Sequence, residues 1–353
     1  MRKSLYIITG IIILASCSQK YNTKIDANNI VIFPPPPDTT RIQFLTTINN
    51  SGDACGEPSA IKKFLFGEQE LLPVVKPYGI AVYDSKIYIC DTGIGGLEII
   101  DLEKKTFEYF TPGGRGRLLF PLNLAIDNKG RLFVADGNRK QIVVFDRDMN
   151  YLDAFGQGED FKPTGVCYYD NKIFVAYVNS HRIYVYDSNN FSLLYSFPDT
   201  QTGSIEHLYQ PLNIRADDNG VYVTDFGDPG IKIYSHLGDY RGRIGSYGRD
   251  YGQFVRPKGI AVDRESNLYV VDAAFENVQV FNEGKELLTY FGGSYNGRGA
   301  MSLPAGICID YSCLDYFREF VYRDFELKYL IFVSNQFGPD KINVYGFVKS
   351  SNN

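Results

Sequence analysis

The chain has 353 residues, 44% hydrophobic and 15% aromatic, with Tyr 27, Phe 25 and Gly 34 against Met 3 and Trp 0. This composition suits half-buried strands and frequent turns, at a length that can bury a large core, and it disfavours long amphipathic helices. The formal charge of -5 removes the general attraction to phosphate on which most nucleic-acid binding depends, so no nucleic-acid partner is expected.

At the start of the chain, Arg2 and Lys3 precede an apolar run, LYIITGIIIL, and the stretch closes with LASC at Cys17. The run is well short of the roughly 20 residues a membrane-spanning helix needs. A basic start, a short apolar core and small residues before a cysteine resemble a bacterial lipoprotein signal. The resemblance implies that residues 1–16 are removed and that Cys17 is the lipid attachment. It also implies an extracytoplasmic protein held to the cell envelope, on the periplasmic side or at the surface, with the outer membrane favoured. Two or more acyl chains hold far better than one. Residues 17–38 then read as a tether, because Pro34 to Pro37 favour the extended polyproline conformation of a stiff spacer. Docking into an aromatic groove is the alternative use of the same prolines.

The segment RIQFLTTI, Arg41 to Ile48, alternates like a strand but has no repeat of its own. Downstream a pattern recurs six times, each copy opened by a proline: KPYGIAV at Pro77, FPLNLAI at Pro121, KPTGVCY at Pro163, QPLNIRA at Pro211, RPKGIAV at Pro257 and LPAGICI at Pro304. A second strand (IYICD, LFVAD, IFVAY, VYVTD, LYVVD, IFVSN) and a third (LEIID, IVVFD, IYVYD, IKIY, VQVF, INVY) follow in every copy. Units of this size cannot bury their faces alone, and stacking them around an axis makes propeller blades. The sixth copy lacks a fourth strand, since only VKSSNN follows INVYGF. If Arg41 to Ile48 supplies it, the ring closes and an aggregation-prone edge disappears. The expected fold is all-β: a six-bladed propeller of four-stranded antiparallel blades over residues 39–349, closed by an N-terminal strand, with 350–353 as a tail.

Pro257 to Asp263, Leu268 to Asp272 and Val278 to Phe281 resemble the blades of NHL-repeat propellers, and the resemblance covers residues 41 to 348. The ends, FPPPPDTTRIQFL and IFVSNQFGPDKINVYGF, are similar to lipid-anchored six-bladed propellers of bacteria. This resemblance implies the fold and not the function.

Departures from the repeat are the candidate site positions. Four residues after each proline stand Ala81, Ala125, Cys167, Arg215, Ala261 and Cys308. Arg215 cannot pack as its small counterparts do, so its guanidinium is expected in the central channel, paired to an acid of a neighbouring blade or binding an anion. Asn123 and Asn213 replace glycine two residues after their prolines, as channel-mouth groups or as residues tolerant of turn geometry. Asp91, Asp136, Asp225 and Asp272, with Asn335, recur too regularly for one site and read as turn caps. Tyr177 breaks that series and marks blade 3 as a candidate for another use. The loops entering the blades carry Arg115, Arg117, Arg249, Arg256, Lys258 and Arg298, expected on one rim that attracts an anionic glycan, lipid headgroup or acidic protein patch, or that is simply solvated. The insertion 311–330 spaces Leu314, Phe317, Val321 and Phe325 as a short amphipathic helix would.

No nucleophile elbow, His-Glu-x-x-His helix or haem motif occurs, and only His181, His207 and His236 exist, far apart in sequence. Neither a metal nor another cofactor is assigned, and no residue is given a catalytic role. Two classes of function follow. The first is a non-enzymatic binding scaffold for a protein, peptide or glycan, with Arg215, Asn123, Asn213, Tyr177 and Arg256 at the channel or rim. The second is a channel-centred enzyme, since similar propellers include calcium-dependent lactonases and zinc-dependent amidating lyases. The sequence leaves the oligomeric state open.

Overall fold

The computed structural model describes residues 30–56, 70–156, 158 and 160–351. Residues 1–29, with the signal segment and Cys17, lie outside the described residues. Six antiparallel sheets succeed one another along the chain and form a six-bladed β-propeller. The innermost strands are Pro77–Tyr83, Pro121–Ile126, Pro163–Tyr169, Pro211–Asp217, Pro257–Val262 and Pro304–Asp310. Each touches the next, and the sixth touches the first. The core lies in seams between blades, where inward-facing residues of neighbouring sheets interdigitate.

The proline opening each inner strand pairs with the last residue of the second strand, and in all six blades the register then shifts. Proline is tolerated as a first strand residue, and the bulge bends the strand just where the blades converge. Crowding at the next positions is severe. A Cβ on Gly79 would lie 2.7 Å from the Cα of Asn123, and one on Gly165 2.8 Å from the Cα of Asn213. Asn is accommodated in blades 2 and 4 because the facing blades 1 and 3 present glycine.

Ring closure is as expected from the sequence. Ile42–Ile48 pairs antiparallel with Ile342–Ser350, from Ile42 opposite Phe347 to Ile48 opposite Ile342. Its Ile42, Phe44, Leu45 and Ile48 are all buried. Val31–Phe33 adds a fifth strand outside it, with Val31 opposite Phe44. The expected spacer of residues 17–38 therefore overlaps the sheet at 31–33, because Val31, Ile32 and Phe33 can pair with the closing strand and Phe33 packs on Phe291 at 6.3 Å.

The insertion differs from the expected helix. Leu314–Tyr316 and Arg318–Phe320 are single 3-10 turns, and Phe325 already begins the eleven-residue strand Phe325–Asn335. Pairing of Phe325 with Ser350 at the end of the closing hairpin draws the segment into the sheet. Gln43 of the N-terminal strand clamps it there: its Nε2 donates to the Phe320 carbonyl (2.8 Å) and its Oε1 accepts from Tyr322 N–H (3.0 Å). Phe317 still packs on the core, against Phe332.

Candidate functional site

At the end of the inner strands away from the prolines lies an axial cavity of about 320 Å³, to which every blade contributes, among them Ala81, Leu124, Tyr168, Arg215, Ala261 and Cys308. The small residues at the fourth position after the proline leave this space. Among the described residues, Arg215 is the one basic residue that lines it. From blade 4 its Nε donates to the Ile260 carbonyl of blade 5 at 3.2 Å. Its charge acts on the Cys167 thiol of blade 3 and the Cys308 thiol of blade 6, opposing the burial that pushes each up to about 12.

Among the described residues no carboxylate lies within 4.0 Å of the Arg215 guanidinium, so the expected pairing with a neighbouring acid is replaced by a single backbone carbonyl. The two aspartates of the cavity are engaged elsewhere. Asp217 accepts from the N–H groups of Asn219 and Gly220, and burial raises its pKa. Asp263 accepts from Glu265 and Asn267 N–H with one oxygen, and from Asn267 Nδ2 and the Tyr329 hydroxyl with the other. The cavity thus offers a guanidinium with unused donors among walls of mixed polarity, a group suited to a carboxylate or other oxyanion.

The other proposed site residues do not join Arg215. Asn123 and Asn213 lie two residues nearer the prolines, buried, each accepting the next residue's N–H with its Oδ1 (2.7 and 2.8 Å). Neither has positive φ, so their role is this bulge contact and not a turn. Tyr177 is fully buried and its hydroxyl meets that of Tyr186 at 3.1 Å, leaving no surface for a ligand. Arg256 is exposed at the proline end, one strand length of roughly 20 Å from the cavity. The basic rim is looser than expected: Arg115 lies over Tyr151 of the outermost strand of blade 2, and Arg298 over Phe44 of the closing strand of blade 6. Each connecting loop starts at the blade's periphery, so its early residues stay there.

The recurring aspartates serve as turn caps and do more. Asp91 accepts from Gly93 and Ile94 in its own turn and from Val75 and Lys76 in the incoming loop, and Asp136, Asp225 and Asp272 repeat the arrangement. Sequence reasoning missed their companions on the third strand, Glu98, Lys232, Gln279 and Asn343, all buried. Gln279 holds the loop at Gly252 and Gln253, and Asn343 holds it at Ala300. The available signal was a polar residue inside LEII, IKIY, VQVF and INVY.

Glu98 is the strained member of this set. Burial, then the adjacent Asp91 carboxylate, raises its pKa from 4.5 to about 10, and one of its oxygens has no partner. An acid whose folded pKa exceeds its unfolded one favours folding below the unfolded value, and that contribution is lost as pH rises toward the folded value. Glu98→Gln, which keeps the shape and removes the ionisable group beside Asp91, is therefore expected to stabilise the fold by about 2–4 kcal/mol at pH 8 and by little at pH 4. Urea melts of both proteins across that range check this; a pH-independent difference would refute it.

Among the described residues no three His, Cys, Asp or Glu side chains group together. The fold does bring His181 and His207 to 5.7 Å between ring centroids, each with Nδ1 on a backbone carbonyl, while His236 stacks on Tyr169. The five described cysteines are unpaired, and Cys90, Cys167 and Cys308 pack as small core residues.

No family model matches the sequence. The chain is 25% identical over 205 residues to a probable peptidyl-alpha-hydroxyglycine alpha-amidating lyase of Caenorhabditis elegans, covering 56% of this chain and 55% of that protein. It thus spans about half the length of the curated relative it matches. Virginiamycin B lyase from Staphylococcus aureus superposes with a TM-score of 0.56 at 16% identity, covering 86% of this chain and 98% of that one. An auxiliary nutrient binding protein from Bacteroides thetaiotaomicron superposes with a TM-score of 0.54 at 11% identity, covering 76% and 69%. Such identities establish the propeller fold alone, which serves lyases and binding proteins alike.

Proposed function

We propose that this protein is a lipid-anchored, extracytoplasmic propeller of NHL type that binds without catalysis, receiving an anionic group of a protein, peptide or glycan partner in the axial cavity. One observation carries the reading: among the described residues Arg215 presents donors with no acid within 4.0 Å, while Asp217 and Asp263 are engaged by their own turns and neighbours. A half-buried cation left without its counter-charge is costly, and a ligand carboxylate or other oxyanion lowers that cost. The signal-like residues 1–16 and Cys17 support the anchor.

Capture of partners from solubilised envelopes tests the reading. Arg215→Gln is expected to lose the partner or weaken it by about tenfold or more, through loss of a charge-assisted hydrogen bond. Undiminished capture would sink it. The amidating-lyase relative supports a second reading, a metal-dependent channel enzyme; stoichiometric calcium or zinc together with lyase or lactonase turnover would favour that one.

A further inference from the structure

A separate cluster of cations stands at the opposite, proline end of the channel. Lys76 immediately precedes the inner strand of blade 1, and Lys258 is the second residue of the inner strand of blade 5. Both converge on the Gln336–Phe337 pair of blade 6. Lys76 Nζ lies 5.3 Å from the centre of the Phe337 ring, and Lys258 Nζ lies 3.1 Å from Gln336 Oε1 and 5.3 Å from the Tyr78 ring. Phe337 is 54% exposed, and Lys76 and Arg256 are exposed while Tyr78 and Lys258 are half-buried, so the cluster opens to solvent on one side.

The frame around it is rigid. Gln336 and Phe337 N–H donate to Leu303 and Ser302 carbonyls at 3.3 Å. The Tyr78 carbonyl accepts from Ser334 Oγ and abuts Gly306, where a Cβ would come within 2.2 Å. Among the described residues, Lys76, Lys258 and Arg256 have no carboxylate within 4.0 Å. Burial and then the Arg256 and Lys76 charges press Lys258 toward its neutral form, to about 8. Three mutually repelling cations at one pore mouth, in a chain of net charge -5, are stabilised by a ligand that brings more than one negative charge. Two aromatic faces beside them suit a flat or apolar group carrying that charge.

We propose that Lys76, Lys258 and Arg256 form a binding site for a dianionic phosphate monoester, with Phe337 and Tyr78 receiving the group that bears it. This site is independent of the axial cavity and does not rest on the reading of Arg215.

Calorimetry on the full chain with inorganic phosphate, phenyl phosphate and acetate tests the assignment. Phenyl phosphate is expected to bind tightest and acetate least. Lys76→Gln and Lys258→Gln should each weaken phenyl phosphate by about tenfold, the loss of one charge-assisted contact. Phenyl phosphate is also expected to raise the titration midpoint of Lys258, followed by NMR after dimethylation, because the ligand favours the ammonium form; a merely structural lysine would not move. Equal binding of acetate, full affinity in the Lys76→Gln/Lys258→Gln double variant, or binding lost only in Arg215→Gln would each overturn the proposal, the last by placing the anion in the axial cavity.

Discussion

Deletion of residues 39–50 is expected to abolish the cooperative thermal transition or lower it by more than about 15 °C. The segment supplies the fourth strand of blade 6 and buries Ile42, Phe44, Leu45 and Ile48. At about 1.5–3 kcal/mol for each buried side chain, the loss approaches the whole stability of a folded domain, about 5–15 kcal/mol. It also removes Gln43, which clamps the insertion, and the strand on which Val31–Phe33 pairs. Phe44→Ala, which leaves the strand in place, provides a milder check, with an expected cost of about 3–5 kcal/mol in urea unfolding. An unchanged melting curve for the deletion would contradict closure of the ring through this strand.

Lys232→Met is expected to cost about 3–5 kcal/mol, the typical penalty for breaking a buried charge pair. Its Nζ stands 3.3 Å from Asp225 Oδ2 and 3.0 Å from Asp228 Oδ2, with Lys232 and Asp225 both fully buried, and it also donates to the His207 carbonyl. Methionine keeps the apolar stem and removes only the charge, so the loss measures what the ammonium does for the two acids and for the loop entering blade 4. Adding Asp225→Asn should recover part of it by removing the stranded carboxylate. Urea unfolding of the two variants decides; a cost below about 1 kcal/mol for Lys232→Met would place this pair among weak surface contacts.

Much of the fold was legible because a propeller writes itself into the sequence repeatedly. Six prolines with strand patterns behind them gave blade number, strand order and the missing fourth strand, and each copy checked the others. The site was legible only in part. Arg215 stood out because one large charged residue broke a column of small ones. Tyr177 broke its column too, but a break in periodicity does not reveal direction, and this ring turned into the seam against Tyr186. The helix expected at residues 314–325 rested on spacing that a strand extension satisfied better once Ser350 offered a pairing partner.

From the sequence alone came the repeat, the acidic balance, the signal-like start and the oddity of Arg215, since these depend on residue identity and spacing along the chain. Only the tertiary structure decided which charges meet. It placed Arg215 against a backbone carbonyl and no acid among the described residues, gave Glu98 an acid for a neighbour, and drew Lys76 of blade 1 and Lys258 of blade 5 together. The physical reason is that the ring closes blade 6 onto blade 1, so residues more than a hundred positions apart share one pore mouth, and burial then sets the strength of each contact.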